Sequence, residues 1–190
     1  MNDVWLVRHG ETEWTLSKKH TSRTDVELTE AGREQAHGLA RVLANRDFAL
    51  VLTSPRERAR RTAELAGFPD ARADDELVEI DYGEYEGRTS DEIRAERPGW
   101  YLWSDGSPGG ETPEDAGRRA DRVIERLRTA DGPALVFGHG HMSRILGARL
   151  LGLPAADGRL LILDPASIAI VGSEHDRPAI RLWNWSPTLE

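Results

Sequence analysis

The residues best able to do chemistry in this chain are Arg8 and His9, which follow directly on the apolar run of residues 4–7. Gly10 comes next, so a short strand would carry a cation and an imidazole onto a turn with room beside the backbone. An imidazole has an ordinary pKa of about 6.5 and can act as a nucleophile near neutral pH. Arginine stabilises the negative charge of a phosphoryl group during transfer. The pair therefore indicates phosphate chemistry with His9 as the nucleophile.

Two further segments place a cation or an imidazole just after an apolar strand. One holds Arg58 shortly after Ser54, and the other is Gly138-His139-Gly140. In open α/β sheets, ligands collect outside the carboxyl ends of the strands, so three such strands would bring these groups to one edge. We therefore expect Arg8, Arg58 and His139 to form a local cationic site that holds one small anion.

The sequence predicts no metal ion and no other cofactor at this site. The two arginines and His139 would provide the charge that Mg²⁺ supplies in other phosphoryl-transfer enzymes. His139 and His141 have the His-x-His spacing of a zinc pair, but no carboxylate or third histidine stands at ligand spacing beside them. We therefore prefer a metal-free site over a zinc site.

The elements that must position these residues predict a three-layer α/β/α sandwich, whose mostly parallel sheet has an antiparallel edge near the C-terminus. Buried strands are expected at residues 4–7, 48–53 and 134–137, with a late pair at residues 168–171 and 180–183. Capping and periodicity predict helices at residues 29–46, 55–67, 89–97, 112–129 and 142–151. Without a linker or an internal repeat, the 190 residues suit a single domain over residues 1–190.

Composition limits the partners that the protein is expected to have. The formal net charge of −8 argues against nucleic acid, because binding to a phosphate backbone needs a basic face. No window has the roughly 18 apolar residues of a membrane span, and no signal peptide is visible. The chain has no cysteine, which fits a cytoplasmic location. We expect a small phosphorylated substrate as the partner, and the sequence leaves the oligomeric state open, a homodimer included.

Six motifs in order make the chain similar to the histidine phosphatases, a superfamily of acid phosphatases, sugar-bisphosphate phosphatases and phosphoglycerate mutases. The motifs are Leu6-Val7-Arg8-His9-Gly10-Glu11-Thr12, Leu28-Thr29-Glu30-Ala31-Gly32, Ser54-Pro55 with Arg58-Ala59 and Thr62-Ala63, Glu79 with Gly83 and Tyr85-Glu86-Gly87, Gly110-Glu111-Thr112, and Gly138-His139-Gly140. The resemblance covers nearly the whole chain and implies a phosphoglycerate mutase-like fold. Thr15 stands where many members have asparagine. Thr15 and the residues 82–87 are features by which the chain resembles one branch of the superfamily, which contains actinobacterial acid phosphatases and fungal sedoheptulose-bisphosphatase.

The resemblance implies roles for five catalytic residues. His9 would accept the phosphoryl group, as the equivalent histidine does in the family. Arg8, Arg58 and His139 would bind the phosphoryl oxygens. Glu79 would protonate the oxygen of the leaving alcohol.

The acid is the least settled of these roles. Glu79 stands at the position where phosphatases of the family carry theirs, between Val78 and Ile80. Such an apolar setting would favour the protonated carboxyl that a general acid needs. The rival acids are Asp81, Glu84 and Glu86, in that order.

The resemblance also implies contacts with the rest of the substrate. The loop with Thr21 and Ser22 closes on the substrate phosphate in the relatives, and Tyr82 and Arg144 resemble contacts of the sugar-bisphosphatase branch. A surface arginine on a helix is the alternative interpretation of Arg144. The predicted substrate-binding set is Arg8, Thr15, Thr21, Ser22, Arg58, Glu79, Tyr82, His139, Gly140 and Arg144.

The function indicated is metal-independent hydrolysis of small phosphorylated metabolites, of the sugar phosphate or bisphosphate class, through a phosphohistidine at His9. The first alternative is phosphoglycerate mutase-type transfer, although mutases usually carry a longer segment than residues 84–109 before the Gly-Glu-Thr motif. The second is a non-catalytic phospho-ligand-binding or regulatory relative, against which the intact catalytic set argues. The third is a protein-phosphohistidine phosphatase, but those chains are usually shorter and lack the Glu79 segment.

Overall fold

The computed structural model describes residues 2–187, so Met1 and residues 188–190 of the predicted domain lie outside the described part. Its strands are β1 (Val4–Arg8), β2 (Leu50–Thr53), β3 (Arg72–Ala73), β4 (Ala134–Gly138), β5 (Ile168–Glu174) and β6 (Arg177–Trp185). They form one sheet in the order β3-β2-β4-β1-β5-β6. The pairs β1/β4, β2/β4 and β2/β3 are parallel, whereas β5 is antiparallel to β1 and to β6. The predicted mostly parallel sheet with an antiparallel edge is confirmed.

Helices cover both faces of this sheet. They are α1 (Glu13–Leu16), α2 (Glu30–Leu43), α3 (Glu57–Leu65), α4 (Ser90–Glu96), α5 (Leu102–Asp105), α6 (Pro113–Arg128) and α7 (Gly140–Leu150). Helices α2 and α3 contact each other on one face, and α6 and α7 on the other. No helix within residues 2–187 is long and apolar enough to cross a membrane.

The alternation of side chains along the central strands explains the two cores. In β1, Val4 and Leu6 enter one apolar cluster, and Trp5 and Val7 enter the other. All four are buried, because successive side chains of a strand point to opposite faces and both faces are covered. The three-layer α/β/α sandwich predicted from the sequence is confirmed.

Several predicted boundaries were wrong by a few residues. Helix α2 ends at Leu43 rather than near Arg46, and β2 begins at Leu50, where its pairing with β4 begins. Helix α3 begins at Glu57 rather than at Pro55. Helix α7 begins at Gly140 rather than at Met142. His139, the one residue between β4 and α7, has the extended backbone of an N-cap residue.

The late strand pair is longer than predicted. Strands β5 and β6 are joined by His175 and Asp176 alone, with φ of 47° and 62°. Two consecutive positive φ angles are typical of the tight turn that matches the twist of a hairpin. The two-residue strand β3 and the short helices α1 and α5 were not predicted, because none is long enough to show a hydrophobic period.

Candidate active site

His9 is held in one tautomer by the turn that follows β1. Its Nδ1 lies 2.8 Å from the carbonyl oxygen of Gly10, and a carbonyl only accepts, so Nδ1 carries the proton and donates. Burial and the charges of Arg58 and Arg8 hold the pKa of His9 well below its usual value. The Nε2 lone pair of His9 is therefore free at neutral pH, as a nucleophile requires.

The turn itself is locked between two helices. The backbone N–H of Gly10 donates to Oγ1 of Thr62 on α3, at 3.0 Å. A Cβ on Gly10 would lie 2.4 Å from the carbonyl oxygen of Gly32 on α2, so no other residue fits there without a shift of backbone. The two glycines of separate sequence motifs thus meet, and their close approach fixes the position of His9.

Arg8 and Arg58 are each held by backbone carbonyl groups. Nη1 of Arg8 donates to the carbonyl of Leu163 at 2.6 Å. Arg58 is completely buried and donates to the carbonyls of Thr24 and Thr21 at 3.0 and 3.1 Å. The Nε atoms of both arginines are buried without a partner among the described residues. Each guanidinium therefore keeps a donor for an anion.

His139 is oriented by a serine. Its Nε2 lies 2.7 Å from Oγ of Ser54, and the same oxygen accepts from the backbone N–H of Arg56 at 3.3 Å. Among the described residues no other acceptor lies within reach of the Ser54 hydroxyl, so it donates to Nε2 and the proton of His139 lies on Nδ1. That Nδ1 is buried without a partner within residues 2–187. The ring centroid of His139 is 5.3 Å from that of His9, so a third buried donor stands beside the nucleophile.

The carboxyl group of Glu79 lies at the N-terminus of α7. Oε1 accepts from the backbone N–H groups of Ile80 and Met142 at 2.9 and 2.7 Å, and Oε2 accepts from that of His141 at 3.0 Å. The sequence predicted an apolar setting for this carboxyl group, because Val78 and Ile80 flank Glu79 in the chain. The actual partners come mainly from a helix about 60 residues away. They leave one acceptor position of Oε2 open, where a proton can reside.

The rival acids are engaged elsewhere. Asp81 accepts from the backbone of Gly83 and pairs with Arg23. Glu86 holds the loop between α1 and α2 through the backbone N–H groups of Ser22 and Thr24, at 2.9 and 3.0 Å. Glu79 lines the cavity described below, whereas Asp81, Glu84 and Glu86 do not.

A cavity of about 570 Å³ opens beside His9 and carries a surplus of positive charge. Arg8, His9, Glu79, Gly140 and Arg144 line it, whereas Arg58 and His139 are buried next to it. The lysines and arginines in its lining are Arg8, Lys18, Lys19, Arg94, Arg144 and Arg159, against the carboxylates Glu79 and Asp164. A cationic cavity in a chain of net charge −8 favours a small anion.

Gly140 and Arg144 lie on α7 where the sequence placed them. A Cβ on Gly140 would lie 3.2 Å from Cζ of Arg8, so a glycine there lets the guanidinium approach the helix N-terminus. Arg144 donates to the carbonyls of Gly158 and Arg159, and its Cζ lies 4.6 Å from the ring centroid of Trp103. Arg144 is thus a residue of the cavity wall rather than a free surface arginine.

The hydroxyls of Thr15 on α1 and of Thr21 and Ser22 in the following loop, all predicted to bind substrate, are committed to protein groups. Thr15 donates to the carbonyl of Thr12, Thr21 to that of Lys19, and Ser22 to the carboxylate of Glu86. Ser22 does not line the cavity, although Thr15 and Thr21 do. The loop between α1 and α2 supports the site through its backbone carbonyl groups, which accept hydrogen bonds from Arg58. The expectation that these hydroxyls face the anion stays a prediction.

Sequence reasoning did not single out His20 or give His141 a role, yet both line the cavity. The Tyr82 hydroxyl lies 2.6 Å from Nδ1 of His141, so it faces that ring. No sequence signal pairs these residues, because their contact depends on how residues 78–87 fold against α7. Within residues 2–187, no group of three or more His, Asp or Glu side chains is arranged to hold a metal ion.

Known proteins resemble this chain over most of its length. The family model of the histidine phosphatase superfamily (branch 1) matches residues 4–186. An acid phosphatase of Mycobacterium tuberculosis is 40% identical over 176 residues, which cover 90% of this chain and 86% of that protein. The sedoheptulose 1,7-bisphosphatase of Saccharomyces cerevisiae is 37% identical over 182 residues, with 78% of this chain and 67% of that protein covered. The solved structure of a Mycobacterium tuberculosis open reading frame product matches with a TM-score of 0.94 and 36% identity, over 98% of this chain and 99% of that one.

Proposed function

The chain belongs to branch 1 of the histidine phosphatase superfamily and is a phosphatase, and we propose that it hydrolyses small phosphorylated metabolites through a phosphohistidine at His9. The observation that carries the proposal is the state of His9, a buried neutral imidazole with its Nδ1 bound to Gly10. Buried donors of Arg8, Arg58 and His139 without partners among the described residues surround it. Such preorganised donors stabilise the charge that develops on a phosphoryl group in transfer.

The proposed reaction has two steps. In the first, Nε2 of His9 attacks phosphorus, an N–P bond forms, and the P–O bond to the substrate breaks while Glu79 gives its proton to the departing oxygen. In the second, a water molecule attacks phosphorus, the N–P bond breaks, and Glu79 takes the proton of that water. The three backbone donors to Glu79 support this second role, because they stabilise the carboxylate that the first step leaves.

We further propose that the reaction needs no metal ion. Arg8 and Arg58 are planar cations whose donors match phosphate geometry, and both are held rigidly by backbone carbonyls. Their charge has the function that Mg²⁺ has in kinases.

The substrate class is proposed to be sugar phosphates or bisphosphates. A cavity of about 570 Å³ accommodates a small metabolite, and its cationic lining suits an anion. One relative is named a sedoheptulose 1,7-bisphosphatase, which supports this class. The absence of a nucleic-acid partner and the cytoplasmic location stay predictions from composition.

The test is a screen of the purified protein against p-nitrophenyl phosphate, sugar phosphates, sugar bisphosphates and glycerate phosphates, with release of inorganic phosphate as the readout. His9→Ala is the control for contaminating phosphatase. We expect phosphate release from at least one sugar ester by the wild type and none by the variant. Formation of a phosphate isomer without release of inorganic phosphate would show a mutase, and inertness towards every ester would contradict the proposed hydrolysis.

A further inference from the structure

We infer that His141 is a specificity-determining residue whose Nε2–H donates to a hydroxyl group of a polyhydroxylated substrate, and that Tyr82 is the positioning residue that fixes this tautomer. The inference deepens the function proposed above and rests on it. It assigns the recognition of the carbon skeleton, as distinct from the phosphoryl group, to a hydrogen-bonded pair on the cavity wall.

The contact between the two side chains determines the tautomer. The hydroxyl oxygen of Tyr82 lies 2.6 Å from Nδ1 of His141, and Tyr82 is buried. If Nδ1 carried the proton, the Tyr82 hydroxyl would have to donate to another group, and no other partner exists for it among the described residues. A buried hydroxyl without an acceptor is costly, so Tyr82 donates and Nδ1 accepts. The proton of the neutral His141 ring then lies on Nε2.

The charge state of the pair agrees with this arrangement. Burial, with the charge of Arg144, holds the pKa of His141 well below its ordinary value, so the ring is neutral. Burial and the charge of Glu79 hold the pKa of Tyr82 well above its ordinary value, so its hydroxyl keeps the proton. A neutral imidazole with one fixed N–H is a directional donor for an uncharged oxygen, unlike the guanidinium groups that hold the phosphate.

His141 contacts the proposed acid through its backbone and the cavity through its side chain. Its backbone N–H donates to Oε2 of Glu79, while its side chain lines the cavity. The hydrogen bonds of His141 within residues 2–187 use Nδ1 and the backbone N–H but not Nε2, and the half-buried side chain lines the cavity, so a ligand can reach Nε2. A hydroxyl bound at Nε2 would therefore lie in the same cavity as the acid.

Aromatic rings next to His141 complete a wall that suits a sugar. The Trp103 ring centroid lies 5.3 Å from that of His141, and the His20 ring centroid lies 4.6 Å from that of Tyr82 and 5.7 Å from that of Trp100. All five rings line the cavity. Flat apolar faces with a few fixed polar groups are the common composition of a small-molecule site. Here they match the C–H faces and the hydroxyls of a polyol.

The experiment compares kcat/KM for the best sugar phosphate of the screen with kcat/KM for p-nitrophenyl phosphate, whose aryl group has no hydroxyl. The variants are His141→Leu, which removes the donor, and His141→Gln, whose amide keeps a donor near Nε2. Tyr82→Phe is made alone and in the His141→Leu background. His37→Leu, at an exposed position on α2, is the matched histidine control.

We expect the sugar-to-aryl ratio to fall about tenfold in His141→Leu, the size of one lost hydrogen bond, and to stay within about threefold of wild type in His141→Gln. Tyr82→Phe should lower the ratio in the wild-type background and have no further effect on it in His141→Leu. A merely structural role would slow both substrates equally and leave the ratio unchanged. That result, or a ratio that falls as far in His141→Gln as in His141→Leu, would overturn the inference.

Binding provides a readout that does not depend on turnover. Titration of His9→Ala and of the double variant His9→Ala/His141→Leu with fructose 6-phosphate and with inorganic phosphate, followed by intrinsic tryptophan fluorescence, should show weakened binding of the sugar ester alone in the double variant. If the wild type hydrolyses no ester, the proposed function fails, and this titration still decides the role of His141. If the wild type hydrolyses p-nitrophenyl phosphate through His9 but neither binds nor hydrolyses any sugar phosphate, the phosphatase function stands and the inference about His141 is wrong.

Discussion

The hydroxyl group of Ser54 lies 2.7 Å from Nε2 of His139, and both residues are completely buried. Ser54 follows β2 and His139 follows β4, which are neighbouring parallel strands. The pairing of the strands therefore brings the two side chains together at the carboxyl edge of the sheet. Ser54 decides which nitrogen of His139 carries the proton, and so which atom can donate to a phosphoryl oxygen.

Ser54→Ala should lower kcat/KM for p-nitrophenyl phosphate by about tenfold to a hundredfold. The change leaves Nε2 of His139 buried without a partner and frees the ring to change its tautomer, which costs about 1–3 kcal/mol. Steady-state kinetics measures the loss, and thermal unfolding shows whether the variant is folded. Ser17→Ala, which removes an exposed hydroxyl bound to the Glu13 carbonyl, is the control and should keep wild-type activity. Wild-type activity in Ser54→Ala would show that catalysis does not need Ser54 to fix the tautomer of His139.

The imidazole of His9 should stay neutral well below pH 6.5. Its pKa is depressed by burial and by the charges of Arg58 and Arg8, so the proton binds only at a pH below the ordinary range. NMR titration of the histidine C2 protons, with the His9 signal assigned from His9→Ala, measures this directly. A His9 resonance that titrates near pH 6.5 would mean that the nucleophile is largely protonated at mildly acidic pH, contrary to the structure.

Glu79→Gln should slow a sugar phosphate much more than p-nitrophenyl phosphate. An alkoxide must be protonated as it leaves, whereas p-nitrophenolate is stable enough to leave without an acid. Measurement of kcat for both substrates in both proteins gives the comparison. An equal drop for the two substrates would make Glu79 a positioning residue for the N-terminus of α7, where it binds the backbone of His141 and Met142.

Asp81→Asn is the matched control for this experiment. Asp81 is the first of the rival acids, but it pairs with Arg23 and does not line the cavity. We expect Asp81→Asn to show no selective loss with the poor leaving group. A loss confined to the sugar phosphate in this variant would transfer the acid role to Asp81.

Phosphatase activity should survive treatment with EDTA and need no added divalent ion. Arg8, Arg58 and His139 supply the donors and the charge at the site, and their positions are fixed by protein groups rather than by a metal. The assay is release of p-nitrophenol before and after chelation and dialysis. Activity that disappears on chelation and returns with Zn²⁺ or Mg²⁺ would contradict the metal-free mechanism.

The convergence of Arg8, His9 and His139 could be predicted because it depends on a general rule of parallel sheets. Each residue stands within two positions of the end of β1 or β4, and the carboxyl ends of parallel strands meet at one edge. The sandwich was predictable for a related reason, since the buried strands and the capped helices have strong local patterns.

The environment of Glu79 could not be predicted, because its partners are backbone groups of a helix more than 60 residues away. The same holds for the hydroxyls of Thr21 and Ser22. Their residue types suggested anion contacts, but nearby carbonyl and carboxylate groups compete for the same donors and bind them in the structure. Residue type indicates what a side chain can bind, whereas the partner is decided by tertiary contacts.

The measurement that tests the central claim most directly is chemical trapping of the intermediate. Wild-type protein is mixed with p-nitrophenyl phosphate, quenched in base within milliseconds, and mapped by mass spectrometry, with His9→Ala as the control. We predict one phosphoryl group on His9, attached at Nε2 because Nδ1 is bound to the Gly10 carbonyl, and none in the variant. Turnover without a phosphorylated protein, or a phosphoryl group on Ser54 or on any residue other than His9, would contradict the account.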